Sequence, residues 1–151
     1  MLRRAMMRRA LRDDSGSTLP LIIFYAALSL ALILLVVAVT SLYLERKRLF
    51  TLADGASLVG AESFNLRDVR RTSSGYRPVL KSGEVASAVS DYLRDNPGEE
   101  FTSLRVERAV SLDGRSATVE LSAVWVPPAL SLLVPQGFRI QVTSVARSVF
   151  S

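Results

Sequence analysis

Between Asp14 and Glu45 the chain carries no charged residue. Inside that run, Leu19 to Leu44 is apolar almost throughout. The stretch is about 26 residues, and as a helix rising ~1.5 Å per residue it would run ~39 Å, enough to cross a ~30 Å hydrocarbon core with some tilt. A membrane-crossing helix is therefore predicted within residues 17–44, with Leu19 and Leu44 bounding its apolar part. The periodicity continues past Leu44. Leu49, Leu52, Ala53, Ala56, Val59 and Gly60 fall on one stripe, while Glu45, Arg46, Lys47, Arg48, Asp54 and Glu62 fill much of the remainder. One helix from about Ser17 to about Phe64 is expected, apolar all round at first and amphipathic over residues 45–66. The stripe reads as core packing. Gly55, Ala56, Gly60 and Ala61 allow close approach of another backbone, and Ala56 and Gly60 have the small-xxx-small spacing of helix pairing, including self-association through this helix.

Residues 67–82 break the pattern. They include Arg70-Arg71-Thr72-Ser73-Ser74-Gly75 and Pro78, and predict an exposed basic loop. Ser82-Gly83-Glu84 then reads as a helix start with an acid in the first turn. Val85, Ala88, Val89, Tyr92 and Leu93 recur at helical spacing until Asn96-Pro97-Gly98, predicting a short helix of about twelve residues. Three strands follow: Phe101 to Leu112, Thr118 to Val126, and Phe138 to Phe150. Asp113-Gly114 is a two-residue hairpin signal. In the last strand Phe138, Ile140, Val142, Ser144, Ala146 and Ser148 share one face, with Val145 and Val149 on the other, so both faces are expected to be partly covered. Residues 83–151 thus form an α+β domain expected to pack on the 45–66 helix. Between prolines, Leu130, Leu132, Leu133 and Val134 make an apolar loop. It either folds back on the sheet edge or presents a docking surface to another subunit or the bilayer.

Charge orients the span. Arg3, Arg4, Arg8, Arg9 and Arg12 precede it, opposed by Asp13 and Asp14, while Glu45-Arg46-Lys47-Arg48 follow it. The bias favours a basic cytoplasmic tail, residues 1–16, and a C-terminal domain outside. The net charge of +5 and pI of 10.2 are then explained largely by topology, and no nucleic acid is expected as a partner. The apolar run is too long for a secretory signal, and Leu42-Tyr43-Leu44 is a poor cleavage site. Gly16, between basic tail and apolar helix, is placed where prepilin peptidases cut, which would leave Ser17 as the new N-terminus. The plainer reading is that Gly16 breaks the chain, Ser17 or Thr18 caps the helix, and Pro20 sits in its tolerant first turn.

Candidate chemistry is sparse. The 151 residues include no cysteine and no histidine, which removes disulfides, thiol chemistry, the commonest general base and the usual zinc ligand. No nucleophile elbow, phosphate-binding loop, dinucleotide fingerprint or metal-ligand cluster occurs. Glu99-Glu100 reads as a solvated turn, and Asp91 and Asp95 as a helix-face pair. Lys47 and Lys81 lack a Ser-x-x-Lys arrangement. The expectation is a non-enzyme without cofactors.

The order of parts, and the block Arg46-Lys47-Arg48-Leu49-Phe50-Thr51-Leu52-Ala53-Asp54-Gly55-Ala56-Ser57-Leu58-Val59-Gly60-Ala61, closely resemble the TadE/TadG-like proteins of Tad (Flp) pilus systems. Those proteins often carry a basic pair and then a Leu-x-x-Ala-Asp-x-Ala-Ala-Leu-Ala-x-Ala run just after the span. Downstream, a short helix ending at Asn96 and strands closing on Ser144-Val145-Ala146-Arg147 resemble the family's plan. The resemblance implies a pilin-like fold: a long N-terminal helix, a short second helix and a three-stranded antiparallel sheet. It also implies an extracytoplasmic domain anchored in the bacterial cytoplasmic membrane, with lipid, pilin-like subunits and inner-membrane platform proteins as partners. Processed pilin-like members place a glutamate a few residues into the apolar helix. Leu19-Pro20-Leu21 stands there instead, so the chain looks more like the TadG-like anchored members. The implied function is a minor pilin-like component of a Tad/Flp pilus or secretion machine. The competing function is a surface binding module in which Arg67, Arg70, Arg71, Arg77 and Lys81 hold an anionic ligand such as a cell-wall polymer or DNA.

Overall fold

The computed structural model describes residues 18–64, 70–72, 75–77, 79–98, 100–128, 131 and 135–148, with 70–72 and 75–77 described through their backbone. The first element, α1, is a 44-residue helix, Leu19–Glu62. It opens with the Ile22 amide donating to the Thr18 carbonyl at 3.0 Å, and Pro20 costs nothing there because a first-turn amide has no intrahelical partner. It closes at Ser63, whose hydroxyl donates to the Gly60 carbonyl at 2.7 Å, satisfying an acceptor that the helix end leaves open.

By contacts the chain divides into two compact units, one ending at Val37 and one beginning at Ala38. In the first, an 18-residue window of α1 has a mean hydropathy of 2.9 and no buried residue. Among the described residues α1 is the one helix long and apolar enough to cross a membrane. Apolar side chains on every face are unfavourable in water and are what a lipid environment requires.

The second unit is α+β. A hairpin of β1 (Arg70–Thr72) and β2 (Gly75–Arg77) precedes α2 (Ser82–Asp95), and β3 (Thr102–Val110), β4 (Ser116–Trp125) and β5 (Phe138–Arg147) follow. The last three form one antiparallel sheet in the order β3-β4-β5. Alternation makes its two faces different. Ala117, Val119, Leu121, Ala123 and Trp125 of β4, with Val142, Ser144 and Ala146 of β5, are buried on one face. The other face is polar: Gln141 Nε2 donates to Glu120 Oε1 at 2.5 Å, and Arg108 pairs with Glu120 at 3.7 Å. Ser122 on that face donates to Glu107 at 2.5 Å and accepts from Arg139 at 2.8 Å.

The C-terminal part of α1 and the apolar face of α2 cover the buried face, in a core that includes Leu49, Ala53, Ala56, Val85, Val89 and Leu121. β4 runs antiparallel to α1. Its start, Ala117, lies against Gly60, and its end, Trp125, hydrogen-bonds Ser41. The lengths agree: from 41 to 60 a helix rises ~28 Å, and from 117 to 125 a strand rises ~27 Å.

The structure departs from the pattern reading in three places. Residues 67–82 are not all loop, since Arg70↔Arg77, Arg71↔Tyr76 and Thr72↔Gly75 pair as a hairpin. Two three-residue strands are too short for an alternation to register. Asp113-Gly114 does not make a two-residue hairpin. The β3–β4 pairing ends at Val110↔Thr118, and the intervening residues form a wider loop docked on the segment before α2. Leu80 donates its amide to the Gly114 carbonyl at 2.9 Å, and the Ser82 hydroxyl donates to the Ser111 carbonyl at 3.0 Å. Gly114 keeps the left-handed φ of +67° that the sequence signal anticipated, within a different turn. Finally, β5 is buried toward the core alone, and Val145 on its other face is exposed. The apolar loop residues Leu130, Leu132, Leu133 and Val134, and Val149 with Phe150, lie outside the described residues.

Candidate functional site

The stretch singled out in the sequence, Leu49 to Ala61, forms a seam between α1 and the rest of the second unit. Leu49, Ala53, Ala56, Gly60 and Ala61 are buried in it. Leu52 is half-buried against the core, and Val59 is half-buried as well. Small residues matter where backbones and neighbouring elements come close. A Cβ on Gly60 would sit 3.1 Å from the Ala117 Cβ, 3.2 Å from Val85 Cγ1 and 3.4 Å from Val89 Cγ2. At Gly55 it would collide with the Tyr92 hydroxyl. The two glycines therefore let one helix pack closely on β4 and on α2.

Pattern reading missed the polar part of the seam. Ser144, in β5, donates to Asp54 Oδ1 at 3.0 Å. Its oxygen also lies 3.1 Å from the Ser57 hydroxyl, which donates to the Asp54 carbonyl at 2.9 Å. Ser57 and Ser144 are buried, so each hydroxyl needs a partner, and each finds one in this cluster. A signal existed for both. Ser57 falls on the Leu49–Ala53–Gly60 side of the helix, and Ser144 shares parity with Val142 and Ala146. Asp54 sits beside that stripe, where the solvated-face reading had placed it.

Away from the seam, α1 presents Tyr43, Phe50 and Leu58 at 65, 47 and 52 % exposure. These positions share one side of the helix with Lys47 and with Asp54, which borders the seam. Among the described residues these apolar side chains stay exposed, on a helix whose other face is already packed, which makes them a candidate contact surface. Arg48, nearby, pairs with Glu100 at 3.5 Å across the surface.

The other sequence candidates are placed unevenly. Gly16, Ser17 and Arg67 lie outside the described residues. Arg70, Arg71 and Arg77 belong to the β1–β2 hairpin, described through its backbone. Lys81 precedes α2 and lies 3.9 Å from Glu84. Asp91 is engaged by Arg94 on the exposed face of α2. At Asp113 the backbone amides of Arg115 and Ser116 donate to the carboxylate and hold its pKa below the ordinary value of 3.8.

No curated protein and no solved structure matches the chain. A family match coincides with the helix that carries both the apolar run and the seam: residues 16–63 match the family model Tad, described as "Putative Flp pilus-assembly TadE/G-like".

Proposed function

We propose that this protein is a non-enzymatic, membrane-anchored minor pilin-like component of a Tad/Flp-type pilus or secretion machine. The family match over residues 16–63 supports a pilus-component role. The observation that carries the finer reading is the division of labour on α1. Its seam side holds the chain's own sheet, through Leu49, Ala53, Ala56 and Gly60. Its adjoining side leaves Tyr43, Phe50 and Leu58 exposed, which suits contact with pilin-like subunits or platform proteins. In this reading Leu19–Leu44 anchors in the bacterial cytoplasmic membrane, the basic N-terminal tail stays inside, and the α+β unit lies outside.

The test is a deletion strain complemented with the full chain. Deletion should abolish surface pili without altering bulk membrane composition, and intact pili in that strain would sink the proposal. Intact mass and N-terminal sequencing of membrane-extracted protein, co-expressed with its prepilin peptidase, then divides two roles. A mature chain starting at Ser17 makes it a subunit able to leave the bilayer for a filament. A chain starting at Met1 makes it a permanent single-span anchor.

A further inference from the structure

One end of the sheet lies level with the uncharged part of α1. Trp125, the last residue of β4, donates its indole N–H to Ser41 Oγ at 3.2 Å. It stacks on Phe138, the first residue of β5, with ring centroids 6.3 Å apart and planes at 30°. Trp125 and Phe138 are also register partners, closing this end of the sheet. Ser41 precedes Glu45, the first charge after the apolar run, by about one helical turn, or ~6 Å along the axis. The Trp125–Phe138 pair is therefore set back from the charged residues toward the apolar segment.

The residues at this end suit that level. Phe138 is 54 % exposed and Tyr43 is 65 % exposed, an arrangement costly in water and favoured at the headgroup boundary, where Trp and Tyr concentrate. No charged residue occurs between Glu120 and Arg139. Pro127 and Pro128, which follow the strand, have no backbone N–H to leave unpaired in an apolar medium. Beside the aromatic pair runs a groove of 390 Å³ lined by Val39, Leu42, Tyr43, Arg46, Ile140 and Gln141. Val39 and Leu42 line it from the apolar run, and Arg46 from the charged turn.

We propose that the Trp125–Phe138 end of the sheet is a second membrane contact, seated in the headgroup–acyl boundary of the bilayer. The ligand is phospholipid: acyl chain against Phe138 and the aliphatic groove, phosphate toward Arg46. This rests on the reading that Leu19–Leu44 spans that bilayer. Anchored twice, the α+β unit would be held at the membrane surface with one face of the sheet fixed relative to it, instead of swinging on a single helix.

Trp125 is the sole tryptophan of the chain, so it reports its own surroundings. The full chain is reconstituted in phosphatidylcholine vesicles, plain or brominated on the acyl chains near the glycerol. The native protein should lose about half of its tryptophan emission in the brominated vesicles, because a seat at the outer edge of the hydrocarbon core would place the bromines near the ring. A Trp125→Phe/Phe138→Trp variant, with its reporter at the exposed position, should lose more. A Trp125→Phe/Ile33→Trp variant reports the span itself, using lipid brominated near the chain ends. Quenching at Ile33→Trp with unchanged emission from Trp125 and Phe138→Trp overturns this inference and leaves the span intact, whether water or a second copy covers the sheet end. Unchanged emission at Ile33→Trp overturns both.

Discussion

Asp54 and Ser144 are joined across 90 residues of chain: the Ser144 hydroxyl donates to Asp54 Oδ1 at 3.0 Å. One end of that bond lies within residues 16–63, which match the Tad family model, and the other lies in the last strand, beyond the matched segment. Their meeting gives the helical acid a structural task. It fixes β5 to one height on α1, because apolar packing alone tolerates sliding while a directed hydrogen bond does not.

The bond should be measurable by a double-mutant cycle. Ser144→Ala and Asp54→Ala are each expected to destabilise the chain by about 1 kcal/mol, and the pair by less than the sum, with a coupling of ~0.5–1.5 kcal/mol. Strict additivity in denaturant unfolding would mean that the contact contributes nothing. Ser57→Ala should reduce the coupling, since Ser57 lies 3.1 Å from Ser144 in the same cluster.

Two glycines should respond in opposite directions. Gly60→Ala adds a methyl 3.1 Å from the Ala117 Cβ and is expected to cost about 1 kcal/mol, with Gly60→Leu costing more, in the overpacking range. Gly83, in the first turn of α2, has nothing within 4 Å of a built Cβ. Gly83→Ala should stabilise by several tenths of a kcal/mol, through helix propensity and the unfolded chain. Thermal unfolding of both variants decides it. Equal effects would mean that Gly60 is not held in a close approach.

Outward positions on α1 should separate assembly from folding. Phe50→Ser and Leu58→Ser remove exposed apolar surface and are expected to change stability by no more than about 0.5 kcal/mol. Surface piliation in a complemented deletion strain should nevertheless fall sharply. Normal piliation with both substitutions combined would show that this stripe contacts no essential partner.

The Asp113 loop should be acid-sensitive. Its carboxylate accepts the backbone amides of Arg115 and Ser116 at 2.8 and 2.7 Å, and its pKa is lowered from 3.8. A depressed carboxyl pKa stabilises the fold fully above the unfolded value. That contribution is lost as pH falls through the lower, folded value. Carboxyl chemical shifts followed against pH should show Asp113 titrating below 3.8. Asp113→Ala should flatten the stability profile across that acid window, and a profile identical to the native one would refute the assignment.

The single chain by itself determined what depends on composition and short-range period. An uncharged run longer than a bilayer core announces a span. A stripe at helical spacing announces a packed face, and an alternation in Thr118 to Val126 announces a strand. These are legible because each is a local balance between burying apolar groups and solvating polar ones. Tertiary structure decided what depends on which distant residues meet. Whether Ser57, Ser144 and Asp54 would be solvated or would satisfy one another was settled by the register of β5 on β4 and the height of β4 on α1. The wider loop at Asp113-Gly114 was settled likewise, by bonds from Leu80 and Ser82 that no turn signal contains. So was the level of Trp125, which alternation marks as buried but which only the ~28 Å match of strand to helix sets beside Ser41. A local pattern specifies which face of an element is apolar. The position along that face is chosen by hydrogen bonds and close contacts between segments tens of residues apart.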